Sequence, residues 1–298
     1  MSLIPHKKPV NYLNNKDILK EIHTSKTHYC AFLAPEDHRY DYICDMPTES
    51  IEKSLEHALT PDVIQLAKET RALRLSLENG DKDSVSPDSI PVTDLVFRVM
   101  TWDHVPVAPK APRKVDKKKT AKDIFEVEEI DELFEDLEDN TTKKEVDDMV
   151  HVKVNFPPFQ HFRLDNTNSF RCIGKSHWKG SLANGEFSKD HGQITNKLAR
   201  MYIMMCEKYA MKFNWRGYTY NDEMRNSAIL QLTYVGLRFN EAKSANPFAY
   251  YTAAITNSFC RVLNTEKRNQ NIRDDILEIN GLNPSWSRQS SSSTSYEE

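Results

Sequence analysis

The stretch Asn246-Pro-Phe-Ala-Tyr-Tyr-Thr-Ala-Ala-Ile-Thr-Asn-Ser-Phe-Cys-Arg-Val-Leu-Asn-Thr-Glu-Lys-Arg268 decides how the C-terminal part of the chain is read. Asn246 is a good N-cap residue, and Pro247 takes the first helical position, where its missing N–H costs nothing. At about 100° per residue, Phe248, Tyr251, Ile255, Phe259, Val262 and Leu263 share one face, the expected core face. Tyr250, Ala254, Asn257 and Arg261, at i, +4, +7 and +11, share the opposite one. That stripe offers an aromatic for stacking on a base, a small residue for close approach, an amide suited to base edges, and a guanidinium. Lys267, Arg268 and Arg273 carry the positive charge onward, where phosphates could be met. An ordinary solvated face carries the same residue types, so spacing alone leaves both readings open.

Two helical patterns precede this one. Gln193 to Lys212 places Leu198, Tyr202, Met205 and Tyr209 at i, +4, +7 and +11, and the turn Trp215-Arg-Gly-Tyr-Thr219 stops it. Asn221 to Phe239 carries Met224, Ala228, Leu232, Val235 and Phe239. Three consecutive patterns with short breaks predict a small helical bundle and a mainly α fold. Further toward the N-terminus, Asn14 or Asn15 can cap a helix within Asn11 to Phe32, with Ile18, Leu19 and Ile22 on one face. Pro61 to Leu77 repeats Val63, Leu66, Ala67, Leu73 and Leu77 at helical spacing and ends at Asn79-Gly80. Val92 to Val105 is β-branched and aromatic, as a strand requires. Residues 106–150 read as a disordered linker, 151–185 as extended segments and turns, and 286–298 as a disordered serine-rich tail.

Of the 298 residues, 39% are hydrophobic and 28% charged, lean for a chain of this length, so part of it is expected to stay outside any core. No apolar run is long enough to span a membrane, and the N-terminus shows no secretory pattern, which gives a cytoplasmic expectation. Five cysteines without a Cys-x-x-Cys pair predict reduced thiols, and the Cys172 to His177 spacing lacks the partner pair that a metal site needs. The net charge of -4 hides a separation. Residues 123–148 hold thirteen acidic residues against Lys143 and Lys144, whereas residues 190–273 hold twelve Lys or Arg against six acids. The basic block points to a polyanionic partner. Neither a nucleophile elbow nor a phosphate-binding glycine loop is present, so an enzyme is not expected.

Phe213-Asn-Trp-Arg-Gly-Tyr-Thr219, Glu223-Met224, Phe239-Asn-Glu-Ala-Lys243 and Asn246-Pro-Phe-Ala-Tyr250, running on to Arg261, resemble the late-transcription sigma factor of T-even-like phages. They also resemble, more remotely, the second conserved region of bacterial primary sigma factors. Asn11-Tyr-Leu-Asn-Asn-Lys-Asp-Ile-Leu19 is similar to the N-terminal helix of the phage family. The resemblance covers about a third of the chain, roughly residues 10–32 and 190–275. It implies a sigma region-two-like bundle built from 10–35 and 186–285, with an α+β insertion between them. It further implies that the helix over Asn221–Phe239 docks on core RNA polymerase of a bacterial host, with Asp222, Glu223, Leu232 and Arg238 as contacts. The next helix would recognise an A/T-rich late promoter element. Tyr250 aligns with an aromatic that engages the opened strand, Asn257 with an amide that reads a base edge, and Arg261 with a backbone-contacting cation. Ala254, Lys267 and Arg268 complete the implied DNA surface. No cofactor is implied, and the place of action is the infected host's cytoplasm.

Two departures stand against the family pattern. The tryptophan pair of bacterial sigma factors falls on Ala253 and Ala254, and nothing after Arg273 looks like a helix-turn-helix. Such a factor would need outside help, which the phage family takes from the sliding clamp through a C-terminal acidic–hydrophobic peptide. Here the C-terminus is a serine tract, whereas Ile130-Asp-Glu-Leu-Phe-Glu-Asp-Leu137 has the matching make-up. Ile130, Leu133, Phe134 and Leu137 are therefore candidate contacts to the clamp or a late coactivator, with a solvated acidic linker as the alternative reading. Two other functions stay open: a polymerase- or clamp-binding adaptor that never touches promoter DNA, and a magnesium-dependent nuclease using the Asp-rich stretch.

Overall fold

Asn14 accepts a hydrogen bond from the Asp17 amide at 2.7 Å and so starts α1 (Asn15–Thr27), whose Ile18 and Ile22 are fully buried. The computed structural model describes residues 13–44, 51–80, 85–109, 149–166 and 169–293. The candidate clamp ligand Ile130, Leu133, Phe134 and Leu137 lies outside the described residues, as does most of the 106–150 linker.

Two compact units make up the chain: residues 1–198 with 237–247, and residues 199–236 with 248–298. The boundary differs from the sequence expectation, because α1 belongs to the first unit, with the sheet, and not to the later helices. The cause is polar anchoring that periodicity does not show. From α1, Ser25 receives the Thr195 amide at 3.1 Å, and the buried Lys26 ammonium donates to Glu241 Oε2 at 2.6 Å and the Phe239 carbonyl at 2.7 Å.

The first unit is built on a five-stranded mixed sheet of β1 (Cys30–Phe32), β2 (Tyr42–Cys44), β3 (Val96–Met100), β6 (Phe159–Leu164) and β7 (Phe170–Ser176), in the order β1-β7-β6-β3-β2. Only the β2–β3 pair is parallel, and its crossover carries α2 (Ile51–Ala58) and α3 (Pro61–Asn79). Two short ladders accompany the sheet: β4 (Val107–Pro109) pairs β5 (Met149–His151), and β8 (Trp178–Lys179) pairs β9 (Glu186–Phe187). The strand expected within 92–105 is β3. The segment expected to be extended over 151–185 supplies β6 and β7.

Alternation along the strands gives the sheet two unlike faces. Phe97, Val99 and Phe162 join Leu55, Ala58, Val63, Ala67 and Ala72 of α2 and α3 in an apolar core. Small side chains let α3 approach closely, so the periodic Leu66, Leu73 and Leu77 are left 51%, 60% and 59% exposed. That corrects the core face drawn from leucine spacing. α3 ends at Gly80, whose φ of 77° is the left-handed geometry of a helix C-cap.

The other face is polar and still buried. Arg98 sits between the Tyr40 and Phe159 rings, 4.0 and 3.8 Å from their centroids. Its Nε donates to His161 Nε2 at 3.0 Å and its Nη2 to His23 Nδ1 at 3.2 Å. Because the guanidinium can only donate, both histidines must present a lone pair and stay neutral. His161 then carries its proton on Nδ1 and donates it to the Asp37 carbonyl at 2.7 Å. Burial, and next the Arg98 charge, hold both imidazoles well below their usual titration range. At one end of this layer the His104 imidazole bonds the Ser176 carbonyl at 2.9 Å and accepts from Gln160 at 3.1 Å, and burial lowers its pKa to about 4. His177 is fully buried 4.1 Å from the Phe156 ring centroid, at a left-handed φ of 51°, and burial lowers it to about 3.

The second unit consists of most of α4 (Asn196–Ala210), all of α5 (Asn221–Val235), nearly all of α6 (Pro247–Ile279) and α7 (Trp286–Ser293). Its core is Met201, Tyr202, Met205, Met224, Ala228, Leu232, Val235, Tyr251, Ala254, Ile255 and Phe259. With seven α-helices among the described residues and a mixed sheet, the chain is mainly α with a substantial β part. The C-terminal segment departs from the expected disorder, because residues 286–293 form α7. Asp274 on α6 accepts both the Ser285 amide at 2.9 Å and its hydroxyl at 2.6 Å, and Arg288 pairs with Asp275 at 2.6 Å. A serine-rich composition hides those anchors. All five cysteines are free, and no helix among the described residues is long and apolar enough to cross a membrane.

Candidate nucleic-acid interface

The placement of α6 in its unit follows from four hydroxyl contacts. Tyr251 donates to the Gly236 carbonyl at 2.8 Å and meets the Tyr202 hydroxyl at 3.2 Å. Tyr250 donates to the Val235 carbonyl at 3.0 Å, and Tyr209 meets Thr256 at 2.6 Å. Gly236 is needed there, since a Cβ would lie 2.1 Å from the Tyr202 hydroxyl oxygen. Burial pushes the Tyr202 phenol far above its usual range, so that hydroxyl stays neutral at any working pH.

These contacts set the rotation of α6 and correct the two faces drawn from spacing. The buried row is Tyr251, Ala254, Ile255, Ser258 and Phe259, at i, +3, +4, +7 and +8. Ala254 is thus fully buried and cannot meet DNA. It lies only about 40° around the helix from Ser258, and its small side chain lets the packed neighbours close over it. Phe248, expected in the core, is 45% exposed at the start of the helix. Tyr250, Asn257 and Arg261 are half-buried, and the Tyr250 hydroxyl is already engaged. Lys267 and Arg268 are exposed.

The most open side of α6 runs through Ala253, Asn264, Arg268 and Asn271, with the half-buried Asn257 on the same face. Asn257, Asn264 and Asn271 follow one another at seven-residue steps, nearly two helical turns each. Sequence reasoning stopped its stripe at Arg261 and missed the two later amides. For Asn264 the signal was present in the spacing; Asn271 lies past the expected end at Arg268, which the helix overruns by eleven residues to Ile279.

On α5, Asp222 and Glu223 are exposed, but Leu232 is fully buried in the bundle core and cannot be a partner contact. Its position at i+8 from Met224, with Ala228 between, places it on the packed face. The outward row is instead Glu223, Asn226, Leu230 and Tyr234, with Leu230 50% and Tyr234 41% exposed. α5 ends at Val235, so the expected helix to Phe239 is shorter, and the half-buried Arg238 closes a 3-10 turn, Gly236–Arg238, beyond it.

Among the described residues no group of three or more His, Cys, Asp or Glu could hold a metal ion. The Cys172 thiol lies 3.7 Å from the Gln160 side-chain Oε1 and 3.6 Å from the Gly174 backbone carbonyl oxygen, while His177 is buried among aromatic rings, so the two residues do different structural jobs. No family model, curated protein or solved structure matches the chain.

Proposed function

We propose that this chain is a phage-type late sigma factor that binds host core RNA polymerase and recognises an A/T-rich late promoter element. The observation that carries the reading is the open side of α6, where Asn257, Asn264 and Asn271 share a face with Arg268 and lie close to Lys267. Asparagine presents a donor and an acceptor together, which matches the adenine edge in the major groove, and the cations answer the phosphates. The resemblance of 190–275 to sigma region two supplies the partner class. Asp222, Glu223, Leu230 and Tyr234 form the α5 surface offered to polymerase, half apolar and half acidic. Help from the sliding clamp or a late coactivator belongs to the same proposal, with Ala253 and Ala254 at the tryptophan positions as its motive.

Asn257→Ala is expected to relax base preference at one promoter position, at a cost of about 1–3 kcal/mol there. Arg261→Ala is expected to weaken binding to every sequence alike. Dissociation constants over a panel of single-base promoter variants distinguish the two patterns. If both substitutions shift every variant equally, α6 does not read bases.

The alternative, an adaptor that binds polymerase or clamp without promoter recognition, draws on the α5 row alone. It predicts polymerase binding lost on Leu230→Ala with Tyr234→Ala and no base preference in α6.

A further inference from the structure

The turn between α4 and α5, Met211–Tyr220, lies within the stretch that carries the resemblance but belongs to neither of the helix faces used above. Phe213 is 92% exposed and Met211 67% exposed. Lys208, Lys212, Asn214, Arg216 and Thr219 are exposed around them, and no acidic residue occurs from Lys208 to Tyr220. The turn is braced. Trp215 and Arg216 amides both donate to the Lys212 carbonyl, at 3.0 and 3.2 Å. Asn221 ties the Trp215 carbonyl at 2.7 Å to that of Ala210 at 3.2 Å. The Trp215 ring lies 5.2 Å from Phe259 on α6, and Tyr218 and Tyr220 continue the row.

A single exposed aromatic needs no explanation. A braced turn that presents one almost completely, beside three cations and with its nearest acids along the chain at Glu207, Asp222 and Glu223, has the make-up of a stacking platform for unpaired bases. We propose that this turn binds single-stranded DNA, with a base stacked on Phe213 and adjacent phosphates met by Lys212 and Arg216. The choice of DNA over RNA rests on the promoter reading above. Bracing lowers the ordering cost of binding, since the backbone is already fixed by the Lys212 and Asn221 contacts.

The test is fluorescence anisotropy of labelled oligo(dT) with the full chain, at salt from about 50 mM upward. Phe213→Ala is expected to weaken binding on the order of tenfold, and Phe213→Trp to retain it. Lys212→Gln with Arg216→Gln is expected to lower the slope of log K against log salt by about 1.4, two phosphates at ~0.7 each. Phe213 is solvent-exposed, so these changes leave the melting temperature in place. Oligo(dT) affinity indifferent to Phe213, tighter binding of oligo(U), or a Phe213 dependence seen only with anionic lipid vesicles would each overturn the assignment. Oligo(dT) holds no promoter sequence. A chain that binds it through Phe213 but shows no duplex base preference therefore rejects only the promoter reading, and the converse result rejects only the turn.

Discussion

Below about pH 6.5 the first unit is expected to lose stability steeply, because four of its histidines, His161 and His177 fully buried and His23 and His104 half-buried, must stay neutral to keep it folded. In the unfolded chain each imidazole binds a proton near 6.5. In the folded chain His104 does so only at about 4 and His177 at about 3, while His23 and His161 are held well below the usual range. Between 6.5 and about 4 the unfolded state therefore holds more protons, so acidification favours unfolding. With four sites the limiting slope is about 5 kcal/mol per pH unit, enough to exhaust a typical stability near pH 5.

Burial is the first cause at each site, and surrounding cations add to it: Arg98 near His23 and His161, Lys26 near His23 and His177, and Lys175 near His104. Geometry says the same without any titration argument, since a protonated His161 Nε2 would point its hydrogen at the Arg98 N–H that now donates to it. Denaturant titrations from pH 7.5 to 4.5 measure the effect. His161→Gln, which keeps a donor and an acceptor, should shallow the slope by about a quarter. Equal stability at pH 7.5 and pH 5 would show that these sites do not control it.

The second large effect concerns Lys26. Its ammonium is buried, bonded to Glu241 and the Phe239 carbonyl, and 5.4 Å from the Phe156 ring centroid. Burial lowers the lysine's pKa against the opposing pull of Glu241. Lys26→Met removes the cation and leaves the Glu241 carboxylate buried without it, so a loss of about 3–5 kcal/mol is expected. Replacing both partners, Lys26→Met with Glu241→Leu, should restore most of that loss, because neither member of the pair is then left as a lone buried charge. Denaturant midpoints of the two singles and the double close the cycle. A Lys26→Met variant within about 1 kcal/mol of the parent would mean the pair is already hydrated.

Local signals carried a good part of the fold. Asn14 and Gly80 cap helices as their types predict, because caps depend on a few adjacent residues. The strand within 92–105 and the helices of the second unit follow from periodicity. The sheet as a whole was not legible. β1 and β2 have only three residues each, and their partners lie far along the chain, so no local pattern announces them. Nothing local marks Lys26, Arg98 and Glu241 as buried charges; tertiary structure brings them together. In the candidate site the error was one of rotation. Spacing placed Ala254 outward, but helix period alone cannot say how wide a packed face is, and small residues at its border are covered first; Leu232 sits on the apolar stripe that spacing gave it, and only the resemblance had made it a partner contact. Asn271 escaped because the helix was ended too soon, and Asn264 because the stripe was stopped at Arg261.

Run-off transcription with a bacterial core RNA polymerase and a late-type A/T-rich promoter tests the central claim most directly, with clamp and coactivator supplied. The sigma reading predicts transcripts from one discrete start, lost when the A/T-rich element is scrambled and reduced by Asn257→Ala. Polymerase binding without a discrete start, or magnesium-dependent cleavage of the template, would contradict it.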